Sequence, residues 1–384
     1  MFNELTIQTV GSNKINLGQI SESLLFYNKV NVLSSPSLFE HLVLRNELNG
    51  FKSLISEGRI NLLIENNHLA RAHSQNSNDW FSLLYVSGAN VTPEELLVRQ
   101  LTELTKKSGY SRRTARSIFS KATVYENHNS VIVDIIKDLG DEEYMKKVIY
   151  SSLNEVAPQL DIDVNSIKCR LHSSQGRYLL ETNINYDEVN KFTGLNIDSQ
   201  SIIGDLINSR LDAYQATKYN CDIHTSQVSS RLLQEKIHDL LHRTEFHGSQ
   251  INLFNEYVLE GKTIKNAINS GERNLEELCR FLDNADKFKE WLINIDDDKN
   301  VLSEYIKAIG KESLLENSQV KTFKWYFFQS LSTLVDIAGA GGLASTLTNL
   351  ALSAGDEFII DNLFKGWKPN FFVDTDLKGF TKLS

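Results

Sequence analysis

Apolar and polar residues alternate through Leu5-Thr6-Ile7-Gln8-Thr9-Val10, the period of two that marks a strand, and Lys29-Val30-Asn31-Val32-Leu33 repeats the pattern. Ser34-Ser35-Pro36 then predicts a helix start, because serine caps free amides and proline's fixed φ suits the first turn. Leu38, Phe39, Leu42 and Val43 follow on one helical face. A second short helix is expected from Glu47 to Glu57, stopped by Gly58, and Ile60 to Ile64 and Trp80 to Val86 complete the strand candidates. Together they predict a small sheet covered by helices.

Thr92-Pro93-Glu94-Glu95 carries a cap, a first-turn proline and early acids, and Leu96, Leu97, Leu101 and Leu104 follow at helical spacing. A hairpin is expected from Ile167 to His172 and Arg177 to Ile184, turning at Gln175-Gly176. From Asp198 onward the period is helical, as in Leu232, Ile237, Leu240 and Leu241, then Leu275, Leu278 and Leu282. The expected fold class is α+β. A mixed α/β region with a small sheet covers 1–95, a helical segment with a β-hairpin near 167–184 covers 96–195, and an all-α domain covers 196–384, ending in a helical hairpin at 320–364. No internal repeat or low-complexity linker marks the boundary near 195.

The hairpin prediction comes from the chain's most charge-poor run. From Trp325 to Gly355 the single charged residue is Asp336, and such a run must be covered by protein, a partner or a membrane. Phe323, Phe327, Leu331, Leu334 and Ala338 stripe one arm; Leu343, Leu347, Leu350, Ala351, Ala354 and Phe358 stripe the other. Thr346, Asn349, Ser353 and Asp356 lie opposite, so the second arm is amphipathic rather than apolar all round. The arms hinge at Gly339, Gly341 and Gly342. The first reading is a packed hairpin whose small residues allow close approach; the second is a hairpin released on a trigger and inserted into a membrane.

Composition narrows the class. The 41% hydrophobic and 23% charged balance is that of a folded globular chain, and four prolines favour long helices. A net charge of -9 argues against a general nucleic-acid binder. Cys169, Cys221 and Cys279 lie far apart without a CxxC pair, which suits a reducing cytoplasm, and Met1 to Gly11 lacks the basic leader and apolar core of a signal peptide.

Three constellations are candidates for chemistry. Residues 104–121 resemble a helix-turn-helix: Lys106 and Lys107 precede Gly109, and Arg112, Arg113 and Arg116 follow it with no acid before Lys121, so the second helix would face phosphates. The plainer alternative is a basic surface turn. His238 and His242 stand at the i, i+4 spacing that can hold zinc, with His247 beyond them, but Asp239 replaces the glutamate of HExxH, and ordinary surface histidines are the simpler account. Gly339-Ala340-Gly341-Gly342-Leu343-Ala344 fits a dinucleotide fingerprint by spacing, yet the segment before it reads as helix where that fingerprint needs a strand. Gly261-Lys262-Thr263 has Glu256 where a P-loop needs glycine, and the Asp296 loop has Val301 and Lys307 where a calcium loop needs glycine and glutamate.

The segments Asp286-Lys287-Phe288-Lys289-Glu290-Trp291-Leu292 and Asp361 to Val373 resemble those of an uncharacterised family of bacterial proteins. That resemblance implies a bacterial cytosolic origin and supplies no catalytic residues. The expected role is a non-enzymatic interaction or effector protein, in stress response or anti-phage defence, with the C-terminal hairpin and its Leu343, Leu347 and Leu350 as the partner-binding or membrane-active element. No cofactor is expected; a protein partner or self-association ranks first, a membrane on activation next and nucleic acid after it. The runner-up roles are a nucleic-acid-binding protein acting through residues 104–121 and a metal-dependent hydrolase using His238 and His242.

Overall fold

The computed structural model describes residues 2–8, 15–74, 77–87, 92–105, 112–126, 129–160, 162–219, 221–234, 238–296, 299–309 and 367–382. The described chain is α+β. Its elements begin β1 (Glu4–Ile7), α1 (Leu17–Phe26), β2 (Lys29–Leu33), α2 (Pro36–Leu44), α3 (Leu48–Ser56), β3 (Ile60–Glu65), β4 (Asn67–Ser74) and β5 (Ser77–Ser87). Then come α4 (Pro93–Thr105), α5 (Arg112–Phe119), β6 (Thr123–Tyr125), α6 (Asn129–Gly140), α7 (Glu142–Val156), β7 (Cys169–Ser174), β8 (Arg177–Thr182), α8 (Tyr186–Thr193) and α9 (Ser199–Tyr219). The described elements continue with β9 (Asp222–His224), α10 (Gln227–Gln234), α11 (His238–Val258), α12 (Ile264–Asn269), α13 (Leu275–Asp283), α14 (Asp286–Ile293), α15 (Val301–Ile309) and a closing helical stretch with one π-turn, Val373–Leu377.

Two compact units divide the chain. Of the described residues, one unit holds those of 2–247 with Asn274–Cys279; the other holds Gly248–Arg273 and those from Arg280 onward. The first contains both sheets: a parallel one ordered β6-β3-β2-β1-β9 and an antiparallel one ordered β4-β5-β8-β7. The second is helical among its described residues, around Phe254, Phe288, Trp291, Tyr305 and Phe372, with Phe254 5.9 Å and Phe372 5.1 Å from Phe288 by ring centroid.

Local signals explain much of this. Ser35 Oγ accepts from the Leu38 amide at 3.2 Å and Pro36 opens α2, as the sequence predicts. The hairpin turns at Gln175 (φ 50°) and Gly176 (φ 72°), the paired left-handed conformation that matches strand twist. β2 spans the residues its alternation predicts.

The alternating polar positions, however, do not face water. Parallel sheets are covered on both faces, and Thr6 and Asn31 are fully buried. Their polar atoms satisfy one another along a row that crosses the sheet. Thr123 Oγ1 donates to Asn61 Oδ1 (2.8 Å), Asn61 Nδ2 to Asn31 Oδ1 (2.8 Å) and Asn31 Nδ2 to Thr6 Oγ1 (3.3 Å), and Thr6 Oγ1 meets Cys221 Sγ at 3.0 Å. This row favours one register, because slipping a strand would leave a buried amide without its partner.

One departure falls in the region expected to be all-helical, 196–384, where β9 joins the parallel sheet beside β1. Three residues are too short to display a period, and only pairing with a distant strand makes Asp222–His224 extended. β4 and β6 were likewise not anticipated. α9 binds the first unit together: Ile202, Ile203 and Leu206 join a core with Phe81, Ile135, Val148, Ile149 and Leu180, and Arg210 makes a two-pronged ion pair with buried Asp138, Nη2 to Oδ1 at 2.6 Å.

Candidate functional site

In an open parallel sheet the natural crevice lies beyond the carboxyl ends of the strands where the strand order reverses. Here the chain leaves β1 toward β2 and β3 on one side, and β9 returns on the other. The reversal therefore sits between β1 and β9. Gln8 is the residue after β1 and Thr225 the residue after β9, and the Gln8 amide donates to the His224 carbonyl at 3.2 Å, holding the two exits side by side.

Both exits bind one carboxylate. Gln8 Nε2 donates to Asp212 Oδ1 at 2.9 Å and Thr225 Oγ1 donates to Asp212 Oδ2. Asp212 is only 2% exposed, and burial pushes its carboxyl up to about 6 even though hydrogen bonds from Thr225, Gln8 and Ser229 favour the ionised form. Half-charged near pH 6 and mostly ionised at neutrality, it accepts as a carboxylate and donates as an acid only in its minor protonated form.

Asp212 stands on α9, which packs against β1 and β9. Seven helical residues, Asp212 to Tyr219, advance about 10 Å, or about two strand spacings. Tyr219 packs against the cluster of Leu33, Leu63 and Tyr125, of which Leu33 and Tyr125 are the last residues of β2 and β6. The Asn66 amide donates to the Tyr125 carbonyl at 2.8 Å, fixing the exits of β3 and β6 together.

Around this end gather an amine and several phenols. Lys218 Nζ lies 5.3 Å from the Tyr125 ring centroid, 5.5 Å from that of Tyr214 and 5.9 Å from that of Tyr219. Burial, with Glu65 next, raises the Tyr125 hydroxyl far above its ordinary range; burial, Tyr214 and Glu65 push Tyr85 up to about 12. These phenols stay protonated at neutral pH. The edge thus presents hydroxyl donors, the carboxyls of Glu65 and Asp212, and aromatic faces. It is equipped to bind. The thiol of Cys221, just before β9 begins and so toward the other end of the sheet, is held protonated, burial raising it to about 11, which makes it a poor nucleophile.

A second buried cluster occupies the opposite, amino edge. Asp222 opens β9 and receives Tyr27 Oη (2.9 Å) and His247 Nδ1 (2.5 Å) on Oδ2 and Arg243 Nε (2.8 Å) on Oδ1. Burial alone would raise the Asp222 pKa; His247, Arg243 and Tyr27 outweigh it and hold the carboxyl below its usual range. His247 is 4% exposed and its ring lies tilted against Phe2, 4.9 Å away by centroid, so the expectation of a surface histidine is corrected: the acid on β9 draws it inward.

The sequence candidates fall as follows. His238 and His242 sit one turn apart in α11, with side chains outside the described residues, and among the described residues no group of three His, Cys, Asp or Glu is placed to hold a metal. Lys106 and Lys107 lie outside the described residues; Arg112 opens α5, and Arg113 and Arg116 are exposed on it, Arg116 Nε 3.7 Å from Glu94 Oε1. Gly339, Gly341, Gly342, Leu343, Leu347 and Leu350, with the whole expected hairpin 320–364, lie outside the described residues. Among the described helices none is long and apolar enough to cross a membrane.

Gln8, Glu65, Asp212 and Thr225 were missed because three of them are strand-exit residues, and only the pairing of β9 with β1 brings Gln8 and Thr225 together at Asp212. A faint signal existed in Asp212, Gln215 and Tyr219, polar positions at i, i+3 and i+7 on one helix face. No protein-family model matches the chain, and no curated protein and no solved structure matches it.

Proposed function

We propose that this chain is a bacterial cytoplasmic interaction protein, non-enzymatic in its action, whose α+β unit binds a small ligand at the carboxyl edge of the parallel sheet. The observation that carries this reading is Asp212. A carboxyl buried against its own solvation, clasped by the exits of the two strands that flank the order reversal, costs stability where open parallel sheets bind ligands. Costs of that kind gather at functional sites. Protonated phenols and carboxyls supply hydrogen bonds and shape rather than an activated nucleophile, which favours binding over turnover. The charge-poor C-terminal run is the element we assign to partners or a membrane, in stress response or phage defence, on the strength of its sequence pattern.

A panel of small metabolites screened by thermal shift on the full chain tests this. A ligand at about 100 times its Kd adds about 2.7 kcal/mol of stability, a readily measured rise in Tm. The rise should vanish in Gln8→Ala; a panel with no effect, or an effect untouched by that change, counts against the reading.

One observation favours a second reading, nucleic-acid binding through α5. Ala115 and Ile118 are buried while Arg113 and Arg116 point to solvent, so the basic face is available. Binding at low salt that disappears in Arg113→Glu/Arg116→Glu supports it; the same affinity in that variant removes it.

A further inference from the structure

The tyrosines at the carboxyl edge hold the chain's own ammonium group as a ligand would be held. Lys218 Nζ lies within 6 Å of three ring centroids, those of Tyr125, Tyr214 and Tyr219. Rings grouped around one cation are the means by which proteins recognise quaternary ammonium groups. We propose that the site's ligand carries a quaternary or methylated ammonium group, which takes the place of Lys218 among Tyr125, Tyr214 and Tyr219. The proposal rests on the reading of this edge as a ligand site and names the chemistry of its ligand.

Four features support it. The rings are built into the fold rather than loose: Tyr125 ends β6 and is buried, and Tyr219 packs on Leu33 and Leu63. The occupant is replaceable, since Lys218 is exposed on a flexible stem and swings into water at little cost. The exchange also favours the ligand, because a primary ammonium is strongly hydrated and a methylated one surrenders less water on entering an aromatic enclosure. The surrounding charge suits a cation: Glu65 and Asp212 both act on the Tyr125 hydroxyl, and an anion would meet those carboxyls.

Choline and its neutral isostere 3,3-dimethylbutan-1-ol, titrated calorimetrically into the full-length protein, separate charge from shape. Choline should bind at least about tenfold more tightly than the isostere, the factor that one or two cation–ring contacts supply. Lys218→Ala should tighten choline binding by emptying the enclosure, and Tyr214→Leu, which keeps apolar bulk and removes a π face, should weaken it about tenfold. Equal affinity for choline and the isostere overturns the proposal, as does choline binding indifferent to both substitutions. If choline fails while an uncharged or anionic metabolite binds in a Gln8-dependent manner, the cation is refuted and the site stands; if nothing binds, both fall.

Discussion

Asp212→Asn should make the protein more stable at pH 8 and only slightly so at pH 4.5. Burial raises the Asp212 carboxyl from the ordinary carboxylate range to about 6. A difference of about two pKa units is about 3 kcal/mol of cost to the ionised native state, fully present above pH 7. The sign follows from proton uptake. Between about pH 4 and pH 6 the folded chain holds a proton that the unfolded chain has released, so this group's contribution falls as pH rises through that window. Asparagine carries no charge to desolvate and keeps a carbonyl for Gln8 Nε2 and an amide for Thr225 Oγ1. Urea unfolding of both proteins at the two pH values isolates the term, because other titrating groups cancel in the difference. The expected gain is about 2–3 kcal/mol at pH 8, mostly gone at pH 4.5. An Asn variant less stable at pH 8, or a difference independent of pH, would refute the claim that Asp212 is kept at a cost.

Other substitutions probe the frame. His247→Ala removes one partner of a buried ion cluster and should cost about 3 kcal/mol in chemical denaturation. In the intact protein the Asp222 contribution, set by a lowered pKa, should persist at neutral pH and disappear as pH falls below about 4, visible as a steeper acid unfolding curve than that of the variant. Gly50→Ala should lower Tm, at about 1–3 kcal/mol, because the added Cβ would lie 2.5 Å from Leu275 Cβ and 2.8 Å from the Glu276 amide nitrogen. Asn31→Ala should cost about 2–3 kcal/mol by leaving Asn61 and Thr6 short of partners in the row across the sheet; stability equal to the native protein would show that the row is dispensable.

Elements with local causes were legible in the sequence. β2, the Ser35-Pro36 start of α2, the stop after α3 and the turn at Gln175-Gly176 each follow from neighbouring residues, and each appears where its chemistry puts it. β6 and β9, three residues apiece, owe their conformation to partners far along the chain. The site shares that origin. Gln8 and Thr225 meet at Asp212 because β9 pairs with β1 from far along the chain, a property of pairing that no window of sequence contains. His247 shows the same limit, since a spacing suited to a helix surface says nothing of the acid that β9 sets beside it.

Hydrogen exchange on the full-length protein, with and without the ligand that raises Tm most, addresses the ligand site directly. Exchange should slow in the segments holding Glu4–Ile7, Ile60–Glu65 and Thr123–Tyr125 and along 212–225. Slowing confined to other segments, such as Arg112–Phe119, or no slowing by a ligand that demonstrably binds, would contradict this placement of the site.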